Sequence, residues 1–492
     1  MFFPFKNLKY TTTFFLTLLC CAAPLQAAET VVPQQRPERP EPKLPEIQQP
    51  EQSRWQPAVT SETEIQDIDE KTLLQQPNLL NLLLDKSVMA NDLEGIKVLL
   101  PVYRKLPDTQ RDDTLLLLAE SKLAMFEGNF SQAVDLLRQI IAERPDLDVI
   151  RMYLAIALFY DQQDVAAQDQ FDKLLAQAEL PEQEKAVIEQ FTEQLQQRHR
   201  WQFNGGINYA REPNINNAPI VREQGNINTD IEPEKATGIV YHFGAEKDWA
   251  LPRGFLLKSS LDISGKYYPG NQRYNDLLAD VGFGVGYRNA RFDVALMPFV
   301  TKRWWQGYSE SSGQSGLQSY SDSFGATLSV QSRLSRRWRS YHYARIEKTH
   351  HEERFRFDGI RRQIGQTLIY QASPQQAWFG GIDYQQEKLH DTDNSNHLLT
   401  GSLGWIQEWP KGFSTRSRIA WGKQKYHAPM PWPILKTRQD NSLQMQVSVW
   451  HRNIHFWGIT PRLTWQRIRN KSNVFLYDYQ KNNVFLEFSK QF

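Results

Sequence analysis

The residues of this chain that could do chemistry fall into a few groups. His350-His351-Glu352-Glu353 offers the imidazole and carboxylate donors that hold a divalent cation, but adjacent strand positions point to opposite faces, so the run does not converge on one ion. Gly282, Gly284 and Gly286 have the spacing of a phosphate-cradling loop. No helical pattern follows them and they share one face of an alternating stretch, so packing or a tight bend is their expected role. An acyl-hydrolase needs Ser, His and a carboxylate or amide together on neighbouring strands. No such set assembles, and the ten histidines cluster at loops and turns. The expectation is a chain that is not an enzyme and that uses no cofactor and no metal.

A second set of charged residues sits at regular places. Lys258, Asp262 and Lys266, Arg361, Asp383 and Glu387, Arg416 and Arg418, and Arg462 all lie on the polar side of stretches that alternate apolar and polar side chains. If that side faces water inside a closed wall, they are candidate lumen charges, acting as selectivity groups or as ion pairs that hold the wall.

The elements that would position them are strands. After Trp201 the period is two, as in Phe324/Ala326/Leu328/Val330 against Ser323/Gly325/Thr327/Ser329, and in Leu443/Met445/Val447/Val449 against Gln444/Gln446/Ser448. Strands are expected near 201–210, 237–249, 254–267, 276–288, 290–305, 319–332, 335–348, 358–371, 375–387, 396–409, 411–424, 438–451, 454–467 and 482–492. Strands with greasy side chains out and polar ones in cannot sit singly in lipid, because unpaired backbone groups there cost several kcal/mol each; they must close into a barrel, here of about 14 strands. Short and long connections alternate along it, placing both ends of the barrel and the preceding region on the short-turn side, the periplasm in such barrels. Pro461 inside the thirteenth strand breaks the rule, since it has no ladder donor. The barrel must close between 201–210 and 482–492, where Gly205 and Gly206 weaken the first strand; this is the candidate seam. Phe488 and Phe492, with Val484 and Leu486, form the apolar face of the last strand and a candidate signal for barrel assembly.

Composition agrees with a barrel rather than a helical membrane protein. Mean hydropathy is −0.58, aromatic residues make up 12%, and there are 14 Trp and 19 Tyr, as two interfacial girdles would use. A net charge of +1 gives no reason to expect nucleic acid. Cys20 and Cys21 lie in an apolar N-terminal run after Lys6 and Lys9, and small residues follow at Ala22-Ala23 and Ala27-Ala28. Residues 1–28 therefore read as a secretory signal peptide. Residues 29–60, rich in Pro and Gln, read as an extended linker.

Between the linker and the barrel, residues 61–200 carry a helical period with a repeat of 34 residues: Ala133 falls on Ala167, and Leu137 on Phe171. Gly128, Ala133 and Pro145 sit where a tetratricopeptide repeat places its turn glycine, packing alanine and terminal proline. Such hairpins stack and leave a concave face suited to a peptide or protein. The fold class is α + β multidomain, with N-terminal all-α tetratricopeptide-like helical repeats and a C-terminal transmembrane antiparallel β-barrel.

A cleaved signal, a proline-rich tether, a small tetratricopeptide domain and a barrel of this size together resemble the surface lipoprotein assembly modulator family. The resemblance implies an outer-membrane translocon of a Gram-negative bacterium that delivers lipoproteins, such as receptors for host iron proteins, from the periplasm to the cell surface. It implies a surface lipoprotein cargo, outer-membrane lipid, the barrel assembly machinery and a periplasmic chaperone as partners of a monomeric chain. The alternative is an export porin for a polysaccharide, since such systems also join helical repeats to a barrel. Its repeat arrays are longer, and a lumen for an anionic polymer should be one-signed.

Overall fold

The structure, a computed structural model, describes residues 70–177, 180–225, 227–307 and 316–491. The signal-like residues 1–28, the linker 29–60 and Phe492 lie outside the described residues.

Eight helices come first among the described residues: α1 Glu70–Gln75, α2 Pro77–Met89, α3 Leu93–Tyr103, α4 Asp113–Glu127, α5 Phe130–Glu143, α6 Asp148–Tyr160, α7 Asp164–Leu175 and α8 Glu182–Arg198. Three hairpins, α2–α3, α4–α5 and α6–α7, share one turn. Each pivots on a residue in the left-handed region, Asn91 (φ 52°), Gly128 (φ 82°) and Gln162 (φ 63°). The next amide then donates to the carbonyl five residues back: Asp92 to Ser87 at 2.8 Å, Asn129 to Ala124 at 2.8 Å, and Gln163 to Leu158 at 3.0 Å. This closes the helix ends that would otherwise leave carbonyls unpaired. The repeated positions Ala133, Leu137, Ala167 and Phe171 are fully buried in one continuous core. Pro145 follows α5, and its carbonyl accepts from Arg151 Nη2 at 2.6 Å.

The fourteen strands expected are present and closed. They are β1 Gln202–Glu212, β2 Ala236–Ala250, β3 Phe255–Tyr267, β4 Asp276–Arg288, β5 Phe292–Trp305, β6 Gln318–Arg333, β7 Trp338–His351, β8 Gly359–Ser373, β9 Gln376–Leu389, β10 Asn396–Glu408, β11 Phe413–Pro429, β12 Thr437–His451, β13 Thr460–Ser472 and β14 Tyr479–Gln491. Each pairs antiparallel with its chain neighbours, and β1 closes on β14. Outward positions are apolar and open, as at Ile382 (65% exposed) and Phe324 (61%). Inward positions are mostly small or polar, with Thr464 fully buried, but Ile369, Phe379 and Ile406 form an inward apolar cluster. Around the short-turn end the outward aromatics form a girdle: Trp201 stacks on Phe203, Trp338 lies against Tyr370, and Trp378, Trp405 and Trp409 follow one another at 5.8 to 6.0 Å. This is the belt an amphipathic ring forms at a lipid–water interface.

Two expectations need correction. The thirteenth strand begins at Thr460 rather than at 454, because Trp457 (φ 51°) and Gly458 (φ 78°) turn the chain. Apolar alternation through Ile454 and Phe456 had imitated a strand. Pro461 is then the second residue of β13, past the last pair with β12, Trp450 with Arg462, where a missing donor is tolerated. The seventh strand runs three residues later than expected, which brings His350 and His351 to its end.

The Gly-x-Gly-x-Gly residues are a close approach of strands. A Cβ on Gly284 would collide with the Leu296 carbonyl, and the β4–β5 ladder is interrupted there between Gly282–Phe299 and Val285–Leu296.

Candidate functional site: lumen, seam and helical joint

Inward parity puts all nine expected charged residues on the lumen face of their strands. Near the short-turn end Lys258 Nζ lies 3.1 Å from Asp248 and 3.8 Å from Asp293, and Arg288 reaches the same two carboxylates at 2.7 and 2.6 Å. From mid-height toward the long-loop end a chain of ion pairs runs along the lumen face. Asp280 on β4 meets Arg345 on β7 at 3.5 Å, Arg345 meets Glu347 at 3.4 Å, Glu347 meets Arg361 at 3.5 Å, and Arg361 meets Glu387 at 3.7 Å. Two strands separate β4 from β7, so the first contact is a chord through the lumen. Asp383 accepts from Tyr343 OH at 2.9 Å. The Arg416 guanidinium lies over Phe379 at 5.7 Å, and that of Arg462 over Trp450 at 4.9 Å. Asp262 stands opposite Asp280 and Lys266 opposite Asp276 in the β3–β4 register, and Arg418 opposite Gln446 in the β11–β12 register. Both signs alternate along the wall, so the lumen carries no one-signed path.

The closing seam is distinct in its ladder. β1 pairs with β2 over eleven residues, from Gln202–Glu246 to Glu212–Ala236, but with β14, among the described residues, over six, from Asn204–Gln491 to Tyr209–Leu486. Every other neighbouring pair of strands runs over at least eleven. Gly205 stands opposite Lys490, Gly206 opposite Ser489 and Ile207 opposite Phe488. The His242 imidazole from β2 fills the space a side chain on Gly206 would need. Toward the long loops the backbone ladder stops and side chains take over. Asn483 Nδ2 donates to Glu212 at 3.1 Å, Lys481 Nζ lies 3.9 Å from the same carboxylate, and the Ile220 amide donates to the Asp478 carbonyl at 2.9 Å. Glu212 and Lys481 were missed from sequence because these two strands extend beyond the expected 201–210 and 482–492, to Glu212 and back to Tyr479, while Asn483 lies inside the expected last strand on its inward side.

The helices join the barrel at its short turns. Arg336 Nη2 donates to the Phe126 carbonyl at 3.3 Å, Arg291 hydrogen-bonds Asn129, and the Ala290 amide donates to Asp161 at 3.4 Å. At the end of α8, His199 Nδ1 lies 3.3 Å from the Asp248 carbonyl, and its Nε2 lies 3.0 Å from Asp164, which also binds Arg198 at 2.6 Å. Burial pushes the Asp164 carboxyl up, but the His199 hydrogen bond and the Arg198 charge outweigh it and hold that group below the usual carboxylate range. The hydrogen bond to Asp164 holds the His199 imidazole above its ordinary value, against its burial.

At the long-loop end His350 and His351 do converge, at 2.6 and 3.1 Å, on the Asp358 carboxylate. The expectation that adjacent positions point apart fails there because β7 ends at His351. Among the described residues no group of three or more His, Cys, Asp or Glu is placed to hold a metal ion.

Two family models match the chain. One described as surface lipoprotein assembly modifier covers residues 201–492, and one described as its N-terminal TPR repeats covers residues 66–171. The chain is 38% identical to surface lipoprotein assembly modifier 1 of Haemophilus influenzae, over 86% of this chain and 87% of that one. It is 36% identical to the surface lipoprotein assembly modifier of Moraxella catarrhalis, over 86% and 82%. It is also 23% identical to the hemophilin secretion modulator of Acinetobacter baumannii, over 86% and 88%.

Proposed function

The chain belongs to the surface lipoprotein assembly modifier family, and from that premise we propose that it is an outer-membrane translocon that carries lipoproteins from the periplasm to the cell surface. The observation that carries this reading is a helical-repeat domain joined to the short-turn mouth of a barrel whose shortest ladder is its closing seam. In this reading the short turns face the periplasm, the concave face of the repeats engages the cargo, and the cargo's polar body and acyl chains need different paths. A lumen meeting an openable β1–β14 seam provides both. The family resemblance adds cargo that captures host iron proteins, delivery of the chain itself by a periplasmic chaperone and the barrel assembly machinery, and action as a monomer.

Physics sets the terms for opening. Among the described residues six pairs hold the seam, and at about 1 kcal/mol net per hydrogen bond the ladder itself is modest. Unpaired amides left in lipid cost several kcal/mol each, so the freed edges must meet water or a cargo strand rather than hydrocarbon. The test is a disulfide between Ile207→Cys and Phe488→Cys, which face each other in the register, with Cys20 and Cys21 replaced. Surface exposure of a co-expressed lipoprotein should be lost under oxidising conditions and return with reductant. Undiminished exposure through the locked barrel would leave the lumen as the route and remove the seam from the account.

A further inference from the structure

The turn between β12 and β13, residues 452–459, differs from the other short turns. Those at 289–291 and 374–375 are polar, and those at 251–254, 334–337 and 409–412 expose one large apolar residue each, Leu251, Leu334 and Trp409. This one presents Ile454, Phe456 and Trp457, which are 50%, 68% and 89% exposed. Its tip is fixed. The Phe456 amide donates to the Ile459 carbonyl at 3.0 Å and the Ile459 amide returns a bond to Phe456 at 2.9 Å, with Trp457 and Gly458 both at positive φ. That is a two-residue hairpin turn whose twist suits the strands it joins.

Its position gives the apolar tip a partner. A Cβ on Gly458 would lie 3.2 Å from Lys490 Cε, and Lys490 shares the outward face of β14 with Phe488, Leu486 and Val484. The tip is therefore set against the outer wall, at the foot of the seam. Around this rim the aromatic girdle runs from Trp201 to Phe413, whose ring meets His451 of β12 at 4.7 Å, but on β12 and β13 the other outward residues at this end are Val449, Pro461 and Leu463. Phe456 and Trp457 stand where the outward positions of β12 and β13 at this end carry no Trp, Tyr or Phe. Amphipathic rings beside a lysine that can snorkel are the composition of a lipid headgroup boundary.

We propose that this turn is a lipid-inserted wedge, with Phe456 and Trp457 seated at the headgroup level of the leaflet on the short-turn side, next to the β1–β14 seam. Its partner is bilayer phospholipid, and it continues the girdle across the gap. It rests on the barrel spanning a membrane and not on the export of any cargo.

The experiment uses the full chain with Cys20 and Cys21 replaced, reconstituted in phosphatidylcholine liposomes and labelled with an NBD fluorophore at Trp457→Cys. Phosphatidylcholine carrying a shallow doxyl quencher should extinguish this label as strongly as one at Trp409→Cys in the girdle, while a label at Gln375→Cys in a polar turn stays bright. A Phe456→Cys label repeats the test should the first variant fail to fold, as read by heat-modifiable gel migration. Emission at both positions as insensitive to the quencher as at Gln375 would overturn the wedge. So would emission that changes only when a lipidated protein is added, which would assign the turn to cargo.

Discussion

Lys122 shows how one residue ties the repeats together. Its ammonium is buried among neutral partners, donating to the Val88 carbonyl at 2.6 Å, Asn91 Oδ1 at 2.6 Å and Tyr153 OH at 3.0 Å. Val88 and Asn91 belong to the end of α2 and its left-handed turn, so one side chain on α4 satisfies the preceding hairpin and touches the following one. Burial pushes its pKa down to about 8, against about 10.4 in an unfolded chain. Between those values the unfolded state holds a proton that the folded state has released, so stability rises with pH through that window. The expected gain is on the order of 3 kcal/mol. It should appear in urea titrations of the helical circular dichroism and vanish in Lys122→Met. The residue scale is also where the sequence was least legible. Gln162 repeats the turn of Gly128 without a glycine to mark it, and Glu212 with Lys481 lies beyond the apolar alternation that defined the strands. The Asp280–Arg345 chord depends on the curvature of the closed barrel, which no local pattern records.

At the scale of elements, strand count and parity were readable because lipid outside and water inside impose a strict period of two. Strand ends were less so where apolar residues continue into a turn, as at Ile454 and Phe456. The joint between helices and barrel was not readable, since it rests on single contacts such as Arg336 to the Phe126 carbonyl. Within that joint His199 is held above its ordinary pKa by Asp164, so its contribution is fully present below about pH 6.5 and is lost as pH rises through the folded value. Spin labels at Asp135→Cys on α5 and Gln375→Cys on the barrel, again with Cys20 and Cys21 replaced, report the consequence. The distance distribution should broaden as pH is raised from 6 to 8, and His199→Gln should be broad throughout.

At the scale of the molecule, we expect from the mixed-charge lumen, its ion pairs and the polar latch above the short seam ladder a barrel that is closed at rest. Planar-bilayer recordings should show rare, brief openings, with longer ones in Glu212→Ala, where the latch to Asn483 and Lys481 is gone. A steady ohmic conductance in the unaltered chain would favour a porin. The central claim, transport of a lipoprotein to the surface, is tested most directly by co-expressing the chain in a heterologous Gram-negative host with a candidate surface lipoprotein from its own organism, and digesting intact cells with protease. The lipoprotein should be cleaved only in cells that also make this chain. Equal cleavage with and without it, or none while both proteins reside in the outer membrane, would rule out lipoprotein transport by this chain and favour polysaccharide export.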